Sequence, residues 1–302
     1  MKKYLNYLVN PKLIIMYLMT HYGSWLNDEL FLKTYYRLKL GKKLDLENPK
    51  CLTEKINWLK LYDRNPLYHQ LVDKYEVKSY VREKLGAEVV IPEYGVWDSF
   101  DEIDFSKLPD KFILKCTHAS GGMAICNDKK AFDTNKAKKK LNRFMGREYY
   151  YSAREWAYKD VKPRIMAEAL IESLGHEDSV EYKLTCYNGK VAFFTICTGI
   201  AHSDFEKRKN DHFDRNYNKL DWYAYYKPAD KPVTIPKEMG KMIEYAEILA
   251  EGIPQVRVDF YLVDGNIYFG EMTFYTWAGF IEFTPPIWDE KLGSWLQLPE
   301  KK

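Results

Sequence analysis

Apolar residues recur at helical spacing through the first part of the chain. The pattern is carried by Ile56, Leu59 and Leu61 and, after Asp73, by Val77, Val81 and Leu85, with Gly86 as a stop signal. Residues three and four positions apart share one face of a helix, so this spacing predicts amphipathic helices. Residues 1 to about 90 are therefore predicted to be mainly helical, and the run from Pro92 to Pro109 is predicted to be a loop.

From Lys111 onward the pattern changes to short strands with tight turns. Three strand pairs are predicted: Phe112–Cys116 with Met123–Cys126, Glu181–Tyr187 with Lys190–Cys197, and Val256–Val263 with Ile267–Thr273. The last two turn at Asn188-Gly189 and Asp264-Gly265, residues that tolerate positive φ and therefore favour hairpins. Helical spacing returns near Lys136–Phe144 and Pro236–Ala250. Strand runs mixed with helices predict an α+β fold built on antiparallel sheets.

Composition and charge narrow the functional classes. Among 302 residues, 46 Lys and Arg stand against 43 Asp and Glu, a net charge of +3, so no overall field favours nucleic acid. The five cysteines have no C-x-x-C spacing, which argues against a zinc cage or a disulfide framework. These features predict a cytoplasmic protein.

The N-terminal segment contains the longest apolar run, Leu13 to Met19. The run is far shorter than the roughly 20 residues of a membrane-spanning helix. We predict an N-terminal helix that packs on the body of the protein. The alternative is peripheral contact with the inner face of the membrane, because Lys2, Lys3 and Lys12 flank the apolar run.

The first candidate site is the loop that follows Lys115. Thr117-His-Ala-Ser-Gly-Gly122 is small and flexible, and its backbone N–H groups can cradle phosphate oxygens beside the lysine charge. The segment matches neither standard phosphate motif, so a plain hairpin loop remains the alternative.

The second candidate is the last hairpin, where Arg257, Asp259, Glu271 and Thr273 interrupt apolar strands. Two carboxylates with hard oxygen atoms suit Mg²⁺ if they share a face. A three-residue loop with a glycine bulge aligns all four side chains, and we predict this odd-numbered loop. The alternative is a salt bridge from Arg257 to the carboxylates.

Further polar and aromatic segments give weaker signals. Glu168, Glu181 and Lys183 lie in or beside predicted strands. The two glutamates could bind the hydroxyl groups of a nucleotide, or they could be solvated side chains beside an edge strand. The aromatic residues between Tyr149 and Tyr158 fit either the core or a sugar-stacking platform. The charge-dense segment 204–218 is predicted to be a flexible, solvated loop, or else a surface that recognises an anionic substrate.

In chain order, these residues resemble the ATP-grasp signature, and more specifically the TupA-like ATP-grasp family found with bacterial surface-polysaccharide genes. The resemblance spans nearly the whole chain and rests on the order and spacing of several segments. They are Asn48–Trp58, Asp73-Lys74, Leu108–Lys115, Ser120-Gly-Gly122, Glu155–Lys159, Pro163-Arg-Ile165, Glu168-Ala-Leu170, Glu181, Arg257-Val-Asp259, Phe269–Tyr275 and Trp288-Asp289.

The resemblance implies a nucleotide clasped between two α+β lobes, with a helical region at 1–72, a small lobe at 73–167 and a large lobe at 168–302. It implies a role for each of the following residues: Lys74 and Lys115 on phosphates, Ser120, Gly121 and Gly122 as a lid, Glu168, Ala169 and Leu170 near adenine, Glu181 on ribose, Asp259, Glu271 and Thr273 on Mg²⁺, and Arg257 and Lys183 in catalysis. ATP-grasp ligases generally carry asparagine where this chain has Thr273, so the number of metals stays open.

The function implied is an ADP-forming carboxylate–amine ligase that attaches an amino acid or similar amine to a uronic-acid-containing glycan of the bacterial capsule or cell envelope. A sugar phosphotransferase using the same ATP site is the alternative. Glycosyl transfer is disfavoured because no D-x-D triplet occurs in the chain. A non-catalytic glycan-binding module is the remaining reading.

Overall fold

The computed structural model describes residues 10–171 and 179–301. The first described elements are helices whose buried hydrophobic residues belong to the main core, in agreement with the predicted helical region. Their bounds are α1 Pro11–Tyr22, α2 Asp28–Leu40, α3 Leu52–Tyr62, α4 Leu67–Val72 and α5 Val77–Leu85. Asp73 initiates the turn before α5, because its carboxylate accepts the N–H groups of Tyr75 and Glu76 at 2.8 and 2.9 Å.

A four-stranded antiparallel sheet follows, with the order β1-β4-β2-β3. One of its faces packs against α6, where Leu114, Cys116 and Leu141 are buried in a separate small core. The opposite face carries Lys115 and Glu168. The elements of this region are β1 Glu93–Trp97, β2 Phe112–Cys116, β3 Met123–Cys126, α6 Thr134–Met145, α7 Tyr150–Ala153 and β4 Ile165–Ala169.

A five-stranded antiparallel sheet forms the second half, with the order β7-β6-β5-β8-β9. Leu184, Val258 and Met272 lie on the face that packs into the main core, to which the helix α8 also contributes. The polar residues of β5, β8 and β9 lie on the other face. The elements are β5 Val180–Tyr187, β6 Lys190–Thr198, β7 Lys209–Asp214, α8 Met239–Leu249, β8 Gln255–Val263, β9 Asn266–Thr273 and α9 Ile287–Trp295.

The three predicted strand pairs and their two tight turns are confirmed. Asn188 and Gly189 both have positive φ, as do Asp264 and Gly265. Tyr187 pairs with Lys190, so the first of these turns has two residues. The α+β prediction with antiparallel sheets is therefore correct.

Two predictions about segments outside these pairs are wrong, and a third is only partly correct. The run from Pro92 to Pro109 is not all loop, because Glu93–Trp97 forms β1 and pairs with β4. The segment 204–218 is not a solvated loop, because Lys209–Asp214 forms β7 and buries Asp211 and His212. Helix α1 forms as predicted and contacts α2 and α7, but Met19 is the only buried residue of this helix.

Two other expectations concern cysteines and membrane spans. All five cysteines are free thiols, and four of them are buried. Within residues 10–171 and 179–301, no helix has the length and hydropathy needed to cross a bilayer.

Candidate active site

The β8–β9 hairpin brings Arg257, Asp259, Glu271 and Thr273 onto one face of the large sheet. Arg257 lies opposite Thr273, and Asp259 lies opposite Glu271. The predicted reason is wrong. The turn has two residues, with Val263 opposite Asn266, and the register shifts instead between Asp259 and Phe260, where Gly270 is the extra residue of β9. The four side chains are therefore aligned by a β-bulge within the strands and not by an odd-numbered loop.

Lys183 extends this polar face to a third strand. It lies opposite Asp259 on β5, so Lys183, Asp259 and Glu271 form a row across β5, β8 and β9. The Lys183 ammonium donates to Asp259 Oδ2 at 3.0 Å and pairs with Glu181 Oε2 at 2.7 Å. Glu181, the predicted ribose ligand, is thereby held on the same face two residues earlier.

Arg257 is the second cation on Asp259. Its Nε and Nη2 donate to the two carboxylate oxygens at 2.6 and 2.7 Å, and Nη2 also donates to Thr273 Oγ1 at 3.0 Å. The same nitrogen lies 3.4 Å from Glu271 Oε1. The predicted alternative, a salt bridge from Arg257 to the carboxylates, is therefore present.

Asp259 is buried and ionised. Burial alone raises the pKa of this carboxyl, but the charges of Arg257 and Lys183 outweigh it and hold the pKa below its usual value. Burial lowers the pKa of Lys183, and Asp259 and Glu181 more than offset that effect and raise it. Glu271 differs because 39% of its side chain is exposed. The group thus presents one fixed carboxylate and one accessible carboxylate.

Lys115 and Glu168 form the matching polar pair on the small sheet. Lys115 lies two residues after Ile113, which pairs with Glu168, so the side chains of Lys115 and Glu168 lie on one face and the ammonium donates to Glu168 Oε1. Lys78 of α5 pairs with the other oxygen of Glu168 at 2.9 Å. Burial raises the pKa of Glu168, yet the charges of Lys115 and Lys78 lower it overall.

At the end of β4, after Glu168, one backbone N–H group is already hydrogen-bonded. The N–H of Ala169 donates to the Pro92 carbonyl at 2.8 Å, so this predicted adenine contact has no free donor at Ala169. Leu170 is the first residue beyond β4. Any backbone contact with a base at this edge would therefore use carbonyls or Leu170.

The glycine loop between β2 and β3 is anchored at both ends. Thr117, His118 and Ala119 are buried, and only Ser120 and Gly121 are exposed. Gly121 has a φ of 86°, a conformation that favours glycine. Gly122 is buried. A Cβ added at this position would lie 2.8 Å from Cys116 Sγ and from Phe144 Cβ, which is too close. The accessible part of the predicted lid is thus Ser120-Gly121.

We expect Gly122→Ala to displace this loop and to weaken nucleotide binding. The added methyl group overpacks the contact with Cys116 and Phe144, which costs about 1–3 kcal/mol of stability. Gly146→Ala is the matched control, because its Cβ meets nothing nearer than 3.8 Å. Thermal unfolding and ATP titration of both variants check this. Equal behaviour of the two would contradict the proposed packing of Gly122.

Lys74 joins the glycine loop to the hairpin. Its ammonium donates to the Ala119 carbonyl at 3.1 Å and lies 3.7 Å from Glu271 Oε2. Its backbone N–H donates to the Thr117 carbonyl at 3.0 Å. Lys74, the glycine loop and the β8–β9 hairpin were predicted from three separate parts of the sequence, and they meet between the two sheets.

Asp259, Glu271 and Thr273 present hard oxygen atoms of the kind that bind Mg²⁺, although both oxygens of Asp259 also accept hydrogen bonds from Arg257 or Lys183. Mg²⁺ in phosphoryl-transfer sites is usually held by one or two carboxylates together with substrate phosphates. In the part of the chain that the structure describes, no three His, Cys, Asp or Glu side chains cluster as a metal site made by protein alone. Two carboxylates and a hydroxyl suit a site that the nucleotide completes.

Sequence reasoning missed a second set of residues, which fixes the backbone beyond Thr273. Tyr275, Trp277, Ala278 and Gly279 all have positive φ, a strained run for non-glycine residues. The Gly279 carbonyl accepts Asn57 Nδ2 at 2.9 Å, and the Ala278 carbonyl accepts Lys60 Nζ at 2.6 Å. Nothing in the spacing of the sequence signals this turn.

Lys60 is the central contact of that turn and is 1% exposed. Its ammonium also donates to Asn57 Oδ1 at 3.1 Å and to the Ala153 carbonyl at 2.9 Å. We expect Lys60→Met to lower the free energy of unfolding by about 3 kcal/mol, because three buried oxygens lose their donor. Denaturant unfolding beside Lys39→Met, an exposed lysine of α2, measures this. A change below about 0.5 kcal/mol would contradict the role of Lys60.

A family model matches most of the chain. Residues 54–297 match a family model described as "TupA-like ATPgrasp". No curated protein sequence is significantly similar to the chain.

Several solved structures are similar at low identity. D-alanine–D-alanine ligase from Bacillus anthracis, complexed with ATP, has 13% identity and a TM-score of 0.39 over 73% of this chain and 55% of that one. D-cycloserine synthetase DcsG has 15% identity and a TM-score of 0.41 over 69% and 64%. N5-carboxyaminoimidazole ribonucleotide synthetase in its ADP complex has 14% identity and a TM-score of 0.42 over 80% and 56%. The chain thus spans under two thirds of each of these proteins.

Proposed function

The chain belongs to the TupA-like ATP-grasp family, and from that premise we propose that it is an ATP-dependent, ADP-forming carboxylate–amine ligase. The proposed product is an amide between an amino acid or similar amine and the carboxylate of a uronic-acid-containing surface glycan or its precursor. ATP and Mg²⁺ are the proposed cosubstrate and cofactor. The five free thiols favour a cytoplasmic location for the reaction.

The position of Lys74 carries this proposal. One ammonium group contacts the glycine loop at Ala119 and lies 3.7 Å from Glu271 on the carboxylate hairpin. A polyphosphate bound by the loop would therefore also reach the carboxylates that suit its metal. Phosphoryl transfer depends mainly on such positioning and charge neutralisation, so this convergence is what the chemistry requires.

On the small-sheet side, we assign Lys74, Lys115 and the loop tip Ser120-Gly121 to the phosphates. The support is their charge, their backbone N–H groups and their partial exposure. Glu168 orients the Lys115 ammonium, and the strand end at Ala169 and Leu170 is assigned to adenine. Glu181 is assigned to the ribose hydroxyls, because a carboxylate accepts hydrogen bonds from such groups.

On the large-sheet side, we assign Asp259, Glu271 and Thr273 to Mg²⁺. A bound magnesium ion would neutralise phosphate charge and orient the transferring group. Arg257 and Lys183 keep Asp259 ionised, and Arg257 also faces Glu271 and Thr273, where it can stabilise the charge of the transferring phosphoryl group. The hydroxyl of Thr273 is a weaker ligand than an amide carbonyl, which favours a single metal.

The proposed reaction has two steps. A carboxylate oxygen of the acceptor attacks the γ-phosphorus of ATP, the bond to the β-phosphate oxygen breaks, and ADP leaves. The amine then attacks the acyl carbon of the acyl phosphate, inorganic phosphate leaves, and the amine loses a proton. Lys74 and Lys115 contribute positive charge near the phosphates in the first step.

The test is a screen for ADP release with amino acids and uronic-acid oligosaccharides supplied in pairs. We expect release only when both are present, with an amide product found by mass spectrometry and a hydroxamate when hydroxylamine replaces the amine. A stable phosphorylated glycan without amide would instead support the phosphotransferase. Consumption of a nucleotide sugar without ATP turnover would support glycosyl transfer, and glycan binding without turnover would support a binding module.

A further inference from the structure

Exposed apolar side chains are concentrated at the N-terminal end of the described chain. Half of the sixteen large hydrophobic residues that are exposed in residues 10–171 and 179–301 lie between positions 13 and 30. Trp25 is 81% exposed and Tyr22 is 66% exposed. We call this the N-terminal apolar surface, which consists of Leu13, Ile14, Ile15, Tyr17, Leu18, Tyr22, Trp25 and Leu30. Soluble monomers seldom expose a contiguous patch of this kind without a partner.

The charge of the same segment indicates which partner fits. Residues 1–30 include Lys2, Lys3 and Lys12, and their two acids, Asp28 and Glu29, are paired with Arg64 and Arg154 and with Lys33. Apolar and aromatic side chains combined with an excess of positive charge are typical of segments that bind the headgroup region of an anionic bilayer.

The length of α1 determines how it would meet a bilayer. Twelve residues span about 18 Å, whereas the hydrocarbon core is about 30 Å thick. The helix is too short to cross and therefore suits a position in the plane of the interface. Trp25 and Tyr22 at its end are residue types that favour the headgroup level.

The N-terminal apolar surface is fixed to the body beside the candidate active site. The buried Arg154 donates from Nη2 to the Gly23 and Leu26 carbonyls at 2.6 and 3.2 Å, and its Nε pairs with Asp28 at 3.2 Å. The chain continues from Arg154 to Tyr158, whose phenol has its pKa raised mainly by burial and further by the charges of Glu155 and Glu271. These contacts join the turn after α1 to the segment beside the proposed metal ligands.

We propose that the N-terminal apolar surface docks the protein peripherally on an anionic lipid bilayer. The inference goes beyond the proposed ligase activity and does not depend on it.

Sedimentation of the full-length protein with vesicles tests this. We expect binding to vesicles containing roughly one third phosphatidylglycerol, and binding at least about ten-fold weaker to pure phosphatidylcholine or for Leu18→Glu. Ile287→Glu is the matched control, since Ile287 is 63% exposed but lies on α9. It should bind vesicles like the unaltered protein.

Three results would overturn the docking proposal. They are no binding to the anionic vesicles, equal binding by Leu18→Glu, and a dimer in light scattering that Leu18→Glu converts to a monomer. The last would identify a second copy as the occupant. ADP release with soluble substrates is measured separately, so failure of docking and failure of the ligase proposal remain distinguishable.

Discussion

Replacing Glu271 by Gln is expected to reduce ADP release at least about 100-fold, because the accessible carboxylate of the proposed metal site is lost. The substitution keeps the size of the side chain, and 39% of that side chain is exposed. Its contacts with Lys74 and Arg257 are long, at 3.7 and 3.4 Å. The melting temperature should therefore change little while activity is lost.

Glu282→Gln is the control for Glu271→Gln, because it is the same exchange at an exposed position of the large-sheet half. It should retain full activity. Steady-state ADP release and thermal unfolding of both variants separate a functional loss from a structural one. Full activity of Glu271→Gln would exclude the proposed metal site.

Asp259→Asn should lose activity to a similar extent but should also unfold more easily. Asp259 is buried and is the shared partner of Arg257 and Lys183. Removing its charge leaves Arg257 and Lys183 with only Glu271 and Glu181 as acidic partners, and loss of a buried partner of this kind costs about 3 kcal/mol. The contrast in stability between the two variants distinguishes the accessible carboxylate of the proposed metal site from the buried one.

Lys115→Met is expected to weaken ATP binding at least about ten-fold, because an ammonium near the phosphates contributes about 1.5–3 kcal/mol through charge-assisted hydrogen bonds. Lys115 is partly exposed, and Glu168 keeps a second cation, Lys78, when Lys115 is replaced. The fold should therefore tolerate the change. Equilibrium dialysis with labelled ATP measures the affinity.

Lys78→Met removes the other lysine that pairs with Glu168, and it should affect stability more than ATP binding. Lys78 is 4% exposed and also donates to the Ile91 carbonyl at 2.6 Å. Its removal should lower the stability of the protein more than Lys115→Met does, since two buried acceptors lose their donor. If Lys115→Met retained full ATP affinity, its assignment to the phosphates would be wrong.

Local sequence signals predicted the hairpins because their physical causes are local. Asn188-Gly189 and Asp264-Gly265 favour two-residue turns whatever surrounds them, and period-two alternation then assigns side chains to faces. The shared face of Asp259 and Glu271 was predicted correctly, but through the wrong loop. The bulge at Gly270 depends on how β9 packs, which the turn residues do not reveal.

Other elements could not be predicted because tertiary contacts create them. Strand β1 contains Gly95 and follows Pro92, and it becomes a strand by pairing with β4. Strand β7 reads as a polar run, yet Asp211 is buried and pairs with Lys219 at 2.7 Å. The sequence indicates the burial of Lys78 only weakly, because Lys78 shares the apolar face of α5 with Val81 and Leu85.

Calorimetric titration with a non-hydrolysable ATP analogue, with and without Mg²⁺, tests the central claim most directly. We expect the unaltered protein to bind the analogue in a magnesium-dependent manner and Glu271→Gln to lose this dependence. Absence of binding by the well-folded protein, or binding that Mg²⁺ and Glu271→Gln leave unchanged, would contradict the assignment of Glu271 and Asp259 to a nucleotide–metal site.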